Sequence, residues 1–263
     1  SLTHWCTTAS KSDLAELLEG TAAAGLFDTD AGKALASTRF ILTSYLAAHK
    51  YLRDGDFSLR DWLENGSGNL YITWREDMQT ALSPLVGCWV DVLANAVLSL
   101  PADPGRRIWL VLDELGGLGR LNSLEAALTR GRKHGLCVVA GLQSTSQLDR
   151  VYGRESAIVL RSCFRNLIAL GIAKSDPDTA EMLSRSLGER EIERLQKNRS
   201  ESAQGISTGE TLQFANERIV LPSEIAELPD LTAFVALAGD QPTRLVNVIP
   251  QNLPKVAEPI VVV

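Results

Sequence analysis

The sequence predicts an α/β protein, a mainly parallel sheet flanked by helices and preceded by part of an all-α segment. Three observations predict it. From Leu70 onward short apolar runs alternate with helical patterns. Those runs are almost continuously apolar, as in strands covered on both faces. Before the linker Asn65-Gly66-Ser67-Gly68-Asn69, only helical spacing is visible.

Taken in order, Ser12 can cap a short helix with Leu14, Leu17 and Leu18 inward, ended by Gly20. A second helix is predicted over 34–51, with Leu35, Thr38, Leu42, Tyr45 and Leu46 on one stripe. Beyond the linker, 70–74, 108–112, 136–142 and 167–172 read as strands, and 77–99, 122–134, 144–163 and 176–187 as helices. Residues 233–237 and 244–248, separated by GDQPTR, read as a closing hairpin. The polar stretch 196–216 reads as a mobile loop. No internal repeat is visible. The expected organisation is a helical piece over 1–66, an α/β portion over 67–250 and a tail over 251–263.

Composition narrows the function. The 263 residues are 45% hydrophobic and 22% charged, a globular profile. A net charge of −6 excludes a histone-like coater of nucleic acid, though not a local basic patch. Cys6, Cys88, Cys137 and Cys163 lie far apart and form no CxxC pair, which argues against a disulfide scaffold or zinc ribbon. With only three histidines, a zinc enzyme is not expected. The start, SLTHWCTTASKSDL, carries neither a targeting pattern nor an initiating Met, and reads as a fragment or processed chain. The most apolar window, 81–100, is interrupted by Pro84, Asp91 and Asn95. A central Asp costs about 2.5–3.5 kcal/mol on insertion, so this window reads as a buried helix of a cytosolic domain.

The strongest chemical feature is Arg107-Ile-Trp-Leu-Val-Leu-Asp113-Glu114. An apolar run followed by two acids puts both carboxylates at the C-terminal end of a buried strand, where open α/β sheets bind ligands. Asp113 there suits Mg²⁺, through water, and Glu114 suits a water attacking a γ-phosphate. Acids also occur at strand ends simply because loops begin there. Gly116-Gly117-Leu118-Gly119 then leads to Asn122, a good helix cap, ahead of Leu124 and Leu128. Arg130, Arg132 and Lys133 crowd the end of that helix, where they either complement its dipole or, for Arg132, reach a neighbouring subunit's nucleotide. Gln143 follows the next strand and either senses the γ-phosphate or caps a helix, as Ser144 also can. Between Arg130 and Arg165 the basic residues exceed Asp149 and Glu155 by five charges, which suits contact with a phosphate backbone. A decoy, GLFDTDAGKA from Gly25, has six residues between its glycines where a phosphate loop needs four. Its Ala34 stands in place of Ser or Thr. The chain therefore contains no phosphate-cradling loop.

These segments resemble the conjugative coupling proteins of type IV secretion systems, the TraD/TrwB kind. The resemblance is carried by YLRDGDFSLRDWL (51–63), RRIWLVLDELGGLGRLNSLEAALTRGRKHGL (106–136), GLQSTSQLDRVYG (141–153), SLGEREIER (186–194) and LPSEIAELPDL (221–231). It implies a membrane-anchored RecA-like P-loop ATPase using ATP and Mg²⁺. Such a motor works as a homo-hexamer at the cytoplasmic face of the bacterial inner membrane and links relaxase-bound DNA to the secretion channel. It further implies Asp113 and Glu114 as Walker B acids, Gln143 as motif III glutamine and Arg132 as an arginine acting in trans. Arg130, Lys133, Arg150 and Arg154 are the residues expected to meet nucleic acid. The Walker A loop and membrane helices would precede Ser1, so the chain alone should hydrolyse ATP weakly or not at all. A non-catalytic module recruiting a relaxosome or effector, or another hexameric RecA-like translocase, remains an alternative.

Overall fold

The computed structural model describes residues 2–28, 31–46, 48–49, 52, 55–202 and 205–254. Their contacts fall into two compact units that divide between Gln143 and Ser144. The fold class is α/β, as expected, with the parallel pairing confined to one strand pair among the described residues.

The first unit begins with helices α1 (Leu2–Thr7), α2 (Lys11–Leu17), α3 (Gly32–Tyr45) and α4 (Leu59–Asn65). The cap of α2 is Ser10, whose Oγ accepts from the Asp13 N–H at 3.1 Å; Ser12 instead pairs with the Ser10 hydroxyl. Arg39 of α3 donates to the Thr7 and Ala9 carbonyls at 3.1 and 2.7 Å, so a guanidinium satisfies the end of α1. Of the stripe predicted for α3 only Leu35 is buried; Tyr45 is exposed because no described element covers that face. Tyr51, the predicted end of this helix, lies outside the described residues, as do 255–263 of the expected tail. Ser58 caps α4 by accepting from the Asp61 N–H at 3.2 Å.

Residues 70–74 form no strand, because nothing pairs with them; Tyr71 is exposed. The long helix α5 (Gln79–Ser99) follows, then strand β1 (Ile108–Leu112), helix α6 (Leu124–Arg130) and strand β2 (Leu136–Ala140). By length and apolarity α5 could cross a membrane. Here Ala94 and Val97 of α5, with Ala127 of α6, pack against Ile108, Leu110, Leu136 and Val138, and Leu63 of α4 joins the same core. β1 and β2 pair in parallel from Ile108↔Leu136 to Leu112↔Ala140. Because α5 and α6 lie on one side, the other face stays open: Trp109 and Val111 are each 64% exposed. The sequence had suggested cover on both faces.

Two constraints fix the ends of this pair. At its C-terminal end the Gly141 N–H donates to the Leu112 carbonyl at 2.8 Å, and the Leu115 N–H donates to the Gly141 carbonyl at 3.0 Å. A Cβ on Gly141 would stand 2.1 Å from the Asp113 carbonyl oxygen, so only glycine fits. On the helical side Asp91 of α5 accepts from the Asn122 and Ser123 N–H groups at 3.2 and 2.9 Å, and from the Ser123 hydroxyl. The start of α6 is therefore capped across the fold by Asp91, not by Asn122, and the acid that broke the apolar window has its hydrogen bonds in the core.

The second unit carries α7 (Ser146–Tyr152), α8 (Arg154–Cys163), strand β3 (Leu167–Leu170), α9 (Pro177–Leu187), strands β4 (Glu189–Ser202) and β5 (Gly205–Arg218), α10 (Pro222–Ala226), and strands β6 (Thr232–Ala236) and β7 (Arg244–Asn247). Gly153, at φ +80°, splits the helix predicted over 144–163 in two. β3 pairs antiparallel with β6, and β6 with β7 in the expected hairpin. Leu183 and Leu187 of α9 and Ile225 of α10 bury Ala169 with Val220. The stretch expected as a loop at 196–216 instead belongs to the antiparallel β4–β5 ribbon, in register from Glu189↔Arg218 to Ser202↔Gly205. Backbone pairing needs no apolar side chain, so polarity there does not exclude a strand. Arg218 anchors its base, 3.2 Å from both Glu189 and Glu181.

Asp176 caps α9, accepting from the Thr179 N–H at 3.2 Å. Hydrogen bonds from Thr179, and then Ser144, hold its carboxyl below the usual carboxylate range. A depressed folded pKa contributes stability above the unfolded value and loses it as pH falls through the folded one. Acidification through that window is therefore expected to lower the urea midpoint less in Asp176→Ala than in the parent, read by circular dichroism. At neutral pH that variant should lose about 1 kcal/mol. Asp91→Ala should cost about 1–3 kcal/mol by leaving the start of α6 unpaired, and an unchanged midpoint would remove it as the cap. Gly141→Ala should cost about 1–3 kcal/mol through the clash with Asp113.

Candidate active site

The site is built where β1 stops. Leu112 is buried, Asp113 is exposed, and Glu114 turns half inward. Leu115, fully buried, opens a single 3-10 turn through Leu118 and nails the segment down, so the two acids leave the strand on a fixed backbone. The Gly117 N–H donates back to the Glu114 carbonyl at 3.2 Å. Gln79, at the start of α5, lies against the Cα of Gly117, beside the Glu114 side chain. Sequence reasoning missed Gln79 because nothing local to it marks the contact.

One oxygen of Glu114, Oε1, is buried and has no hydrogen-bond partner. An unpaired buried carboxylate oxygen is expensive, and a water or hydroxyl donor would relieve it. Asp113 beside it presents an open carboxylate, the donor that Mg²⁺ takes singly together with water and phosphate oxygens. The residues present thus fit an Mg²⁺–nucleotide. Because β1 and β2 are parallel and in register, Gln143, three residues past β2, emerges exposed at the same end as Asp113 and Glu114.

Arg132 does not join them. The turn Gly131–His134 precedes β2, so Arg132 lies at the opposite end of the strand pair. Arg107 and Asp113 are six residues apart along β1, about 20 Å at the rise of a strand. At that far end Arg107, Arg130, Arg132 and Lys133 line one open recess of about 740 Å³ with Gly135, Leu136 and Cys137. The turn is held firmly: His134 Nδ1 lies 2.6 Å from the Leu100 carbonyl, and the Asp103 N–H donates to the Lys133 carbonyl at 3.0 Å. Gly135 adopts φ +87° with the Arg106 carbonyl 2.6 Å from where a Cβ would be. The sequence marks Arg107 only as the start of the run that ends in the acid pair; strand pairing is what brings it to residues 130–133. In the second unit Arg150 lies in the last turn of α7 and Arg154 starts α8, both exposed, while Arg161 is paired with Asp149 at 3.0 Å.

Comparison with known proteins identifies the family of the chain. Residues 1–249 match the family model of the type IV secretion-system coupling protein DNA-binding domain. The coupling protein TraD of Escherichia coli (strain K12) is 31% identical over 260 residues, which span 91% of this chain and 35% of TraD. The conjugal transfer protein TraG of Agrobacterium fabrum (strain C58) is 29% identical over 205 residues, 77% of this chain and 31% of TraG. Among solved structures, the unbound bacterial conjugative coupling protein TrwBdeltaN70 superposes with a TM-score of 0.85 at 50% identity. That match covers 98% of this chain and 59% of the other. TrwB in complex with ADP and Mg²⁺ superposes at 0.84 with 49% identity, over 97% of this chain and 58% of the other. The chain therefore spans about a third of TraD and somewhat over half of the TrwB chains. With a fold of this likeness and the family model matched over nearly its whole length, the chain belongs to the type IV secretion-system coupling proteins.

Proposed function

We propose that this chain is a cytosolic motor portion of a conjugative coupling protein, which links relaxase-bound DNA to a type IV secretion channel and drives DNA by ATP hydrolysis. The observation that carries the reading is the acid pair at the end of β1, with Glu114 Oε1 buried and unpartnered beside an open Asp113. TrwB, its structural relative, is known bound to ADP with Mg²⁺ and to an ATP analogue, which supports the same ligands here. Residues 1–66 then belong to a helical domain and 67–250 to the RecA-like portion, assembled as a homo-hexamer on the cytoplasmic side of the inner membrane.

In this reading Asp113 holds Mg²⁺ through water. Bound there, ATP would supply the γ-phosphoryl group and Mg²⁺ would neutralise the charge that develops on its oxygens. Glu114 Oε1 accepts a hydrogen bond from the attacking water, orients it and takes up its proton. Gln143 contacts the γ-phosphate end and couples its presence to the segment beyond β2. Arg132, at the other end of the strands, serves the nucleotide of an adjacent subunit. Contact with the DNA backbone falls to the exposed Arg150 and Arg154; Arg130 and Lys133, which the sequence groups with them, share a recess with Arg132 instead.

Glu114→Gln in the complete motor should keep nucleotide affinity within about twofold while turnover falls by about 10²-fold or more, measured by phosphate release. Near-normal turnover would remove Glu114 from the reaction. Arg150→Gln with Arg154→Gln should weaken DNA binding and lower the slope of log affinity against log salt by about 1 to 2, measured by fluorescence anisotropy.

A further inference from the structure

Glu114 has a neighbour from a distant part of the chain. Gln79 is the first residue of α5, and its N–H donates to the Glu76 carbonyl as the turn Glu76–Met78 closes, so its backbone is fixed. Its side chain runs to the turn that carries Glu114. Gln79 Nε2 lies over the place where a Cβ on Gly117 would stand, and Glu114 Cγ is 3.3 Å from that same point. Gly117 does not have a left-handed backbone, so the space it leaves, not its conformational freedom, is what the arrangement uses. Helix and turn meet again further along: at Gly87 of α5 a Cβ would lie 3.4 Å from the Leu118 carbonyl, and Leu118 is buried. Packed elements therefore deliver Gln79 to Glu114. The Gln79 amide makes no hydrogen bond among the described residues. Glu114 Oε1 is buried and has no partner either.

We propose that Gln79 is a positioning residue for Glu114. Its amide braces the Glu114 stem over the bare Cα of Gly117 and keeps Oε1 turned to the water it is to activate. The residue type suits the task. A lysine or arginine here would bind the carboxylate as an ion pair and occupy the lone pairs that a water needs. A neutral amide steers the side chain and leaves those lone pairs open. A one-ångström error in placing a reacting group can cost about 10²-fold in rate, so bracing a single side chain is worth a helix terminus. This role rests on the hydrolytic reading of Glu114. It also gives Gly117, within Gly116-Gly117-Leu118-Gly119, a purpose separate from turning the chain.

In the complete motor, Gln79→Ala should lower kcat by about 10- to 100-fold while affinity for a non-hydrolysable ATP analogue stays within about twofold. Gln79→Met, which keeps the length and loses the amide, should show the same loss. Gly117→Ala should evict the amide and reproduce it. Combining Gln79→Ala with Gly117→Ala should then cost no more than the worse single variant, since both remove one contact. Full kcat in Gln79→Ala or Gln79→Met, a matching loss of analogue affinity, or multiplied losses in the double variant would overturn the proposal. Nuclear magnetic resonance of the 263-residue chain reads the contact without turnover. The Gln79 side-chain amide signal, identified by its absence from Gln79→Ala, should move in Glu114→Gln and stay in place in Arg150→Gln. A signal indifferent to Glu114→Gln would overturn the proposal as well. Normal turnover in Glu114→Gln defeats the hydrolytic reading itself, whereas full kcat in Gln79→Ala beside an inactive Glu114→Gln defeats only the bracing.

Discussion

The Asp113 carbonyl pressing on Gly141 is the contact from which the candidate site takes its geometry. The parallel ladder does not stop with the last strand residues. It runs on through Gly141 to Leu112 and Leu115, so the turn bearing both acids is an extension of the sheet rather than a free loop. A side chain at 141 has nowhere to go. Leu115, with no exposed surface, holds the turn from beneath, and burying one such side chain contributes about 1.5–3 kcal/mol. The same logic then passes along the chain. Asp91 ties the start of α6 to α5, α6 delivers the turn at Gly131–His134, and Gly135 lets the chain double back into β2. Each link uses a group that would be unfavourable alone: a carboxylate in a core helix, or a left-handed backbone.

This connected set explains what was legible in the sequence. β1, β2, α5 and α9 could be read because their apolar spacing is a local property, and the β6–β7 hairpin because its turn residues are. Asp113 and Glu114 stood out since an apolar strand followed by two acids is visible within eight residues. Other features depend on partners far along the chain. Asp91 read as an interruption until Asn122 and Ser123 were beside it. Gly141 lies unmarked within the strand predicted over 136–142, because only the distant Asp113 carbonyl fills its Cβ position. Residues 196–216 read as a loop since their polarity says nothing about which backbone lies alongside. Residues 70–74 show the converse, a strand-like composition with no neighbour to pair with.

The β1–β2 pair thus has two chemically opposite ends. Acids with Gln143 lie at one and four cations at the other, on a chain that is negative overall. A short parallel pair is well suited to this, because parallel strands deliver all their C-terminal ends together and all their N-terminal ends together. Reading arginines 130 to 165 as a single basic tract blurred that separation, since Arg130 and Arg132 belong to the first unit and Arg150, Arg154, Arg161 and Arg165 to the second.

The open face at Trp109, Val111 and Val139 has a thermodynamic consequence. Heat-capacity change and denaturant sensitivity both scale with the apolar surface newly exposed on unfolding. A sheet that already presents an indole and two valines to water has less left to expose. The calorimetric signature of this chain therefore belongs to a smaller protein than its length implies, and anything laid over that face would steepen its unfolding before adding a single hydrogen bond.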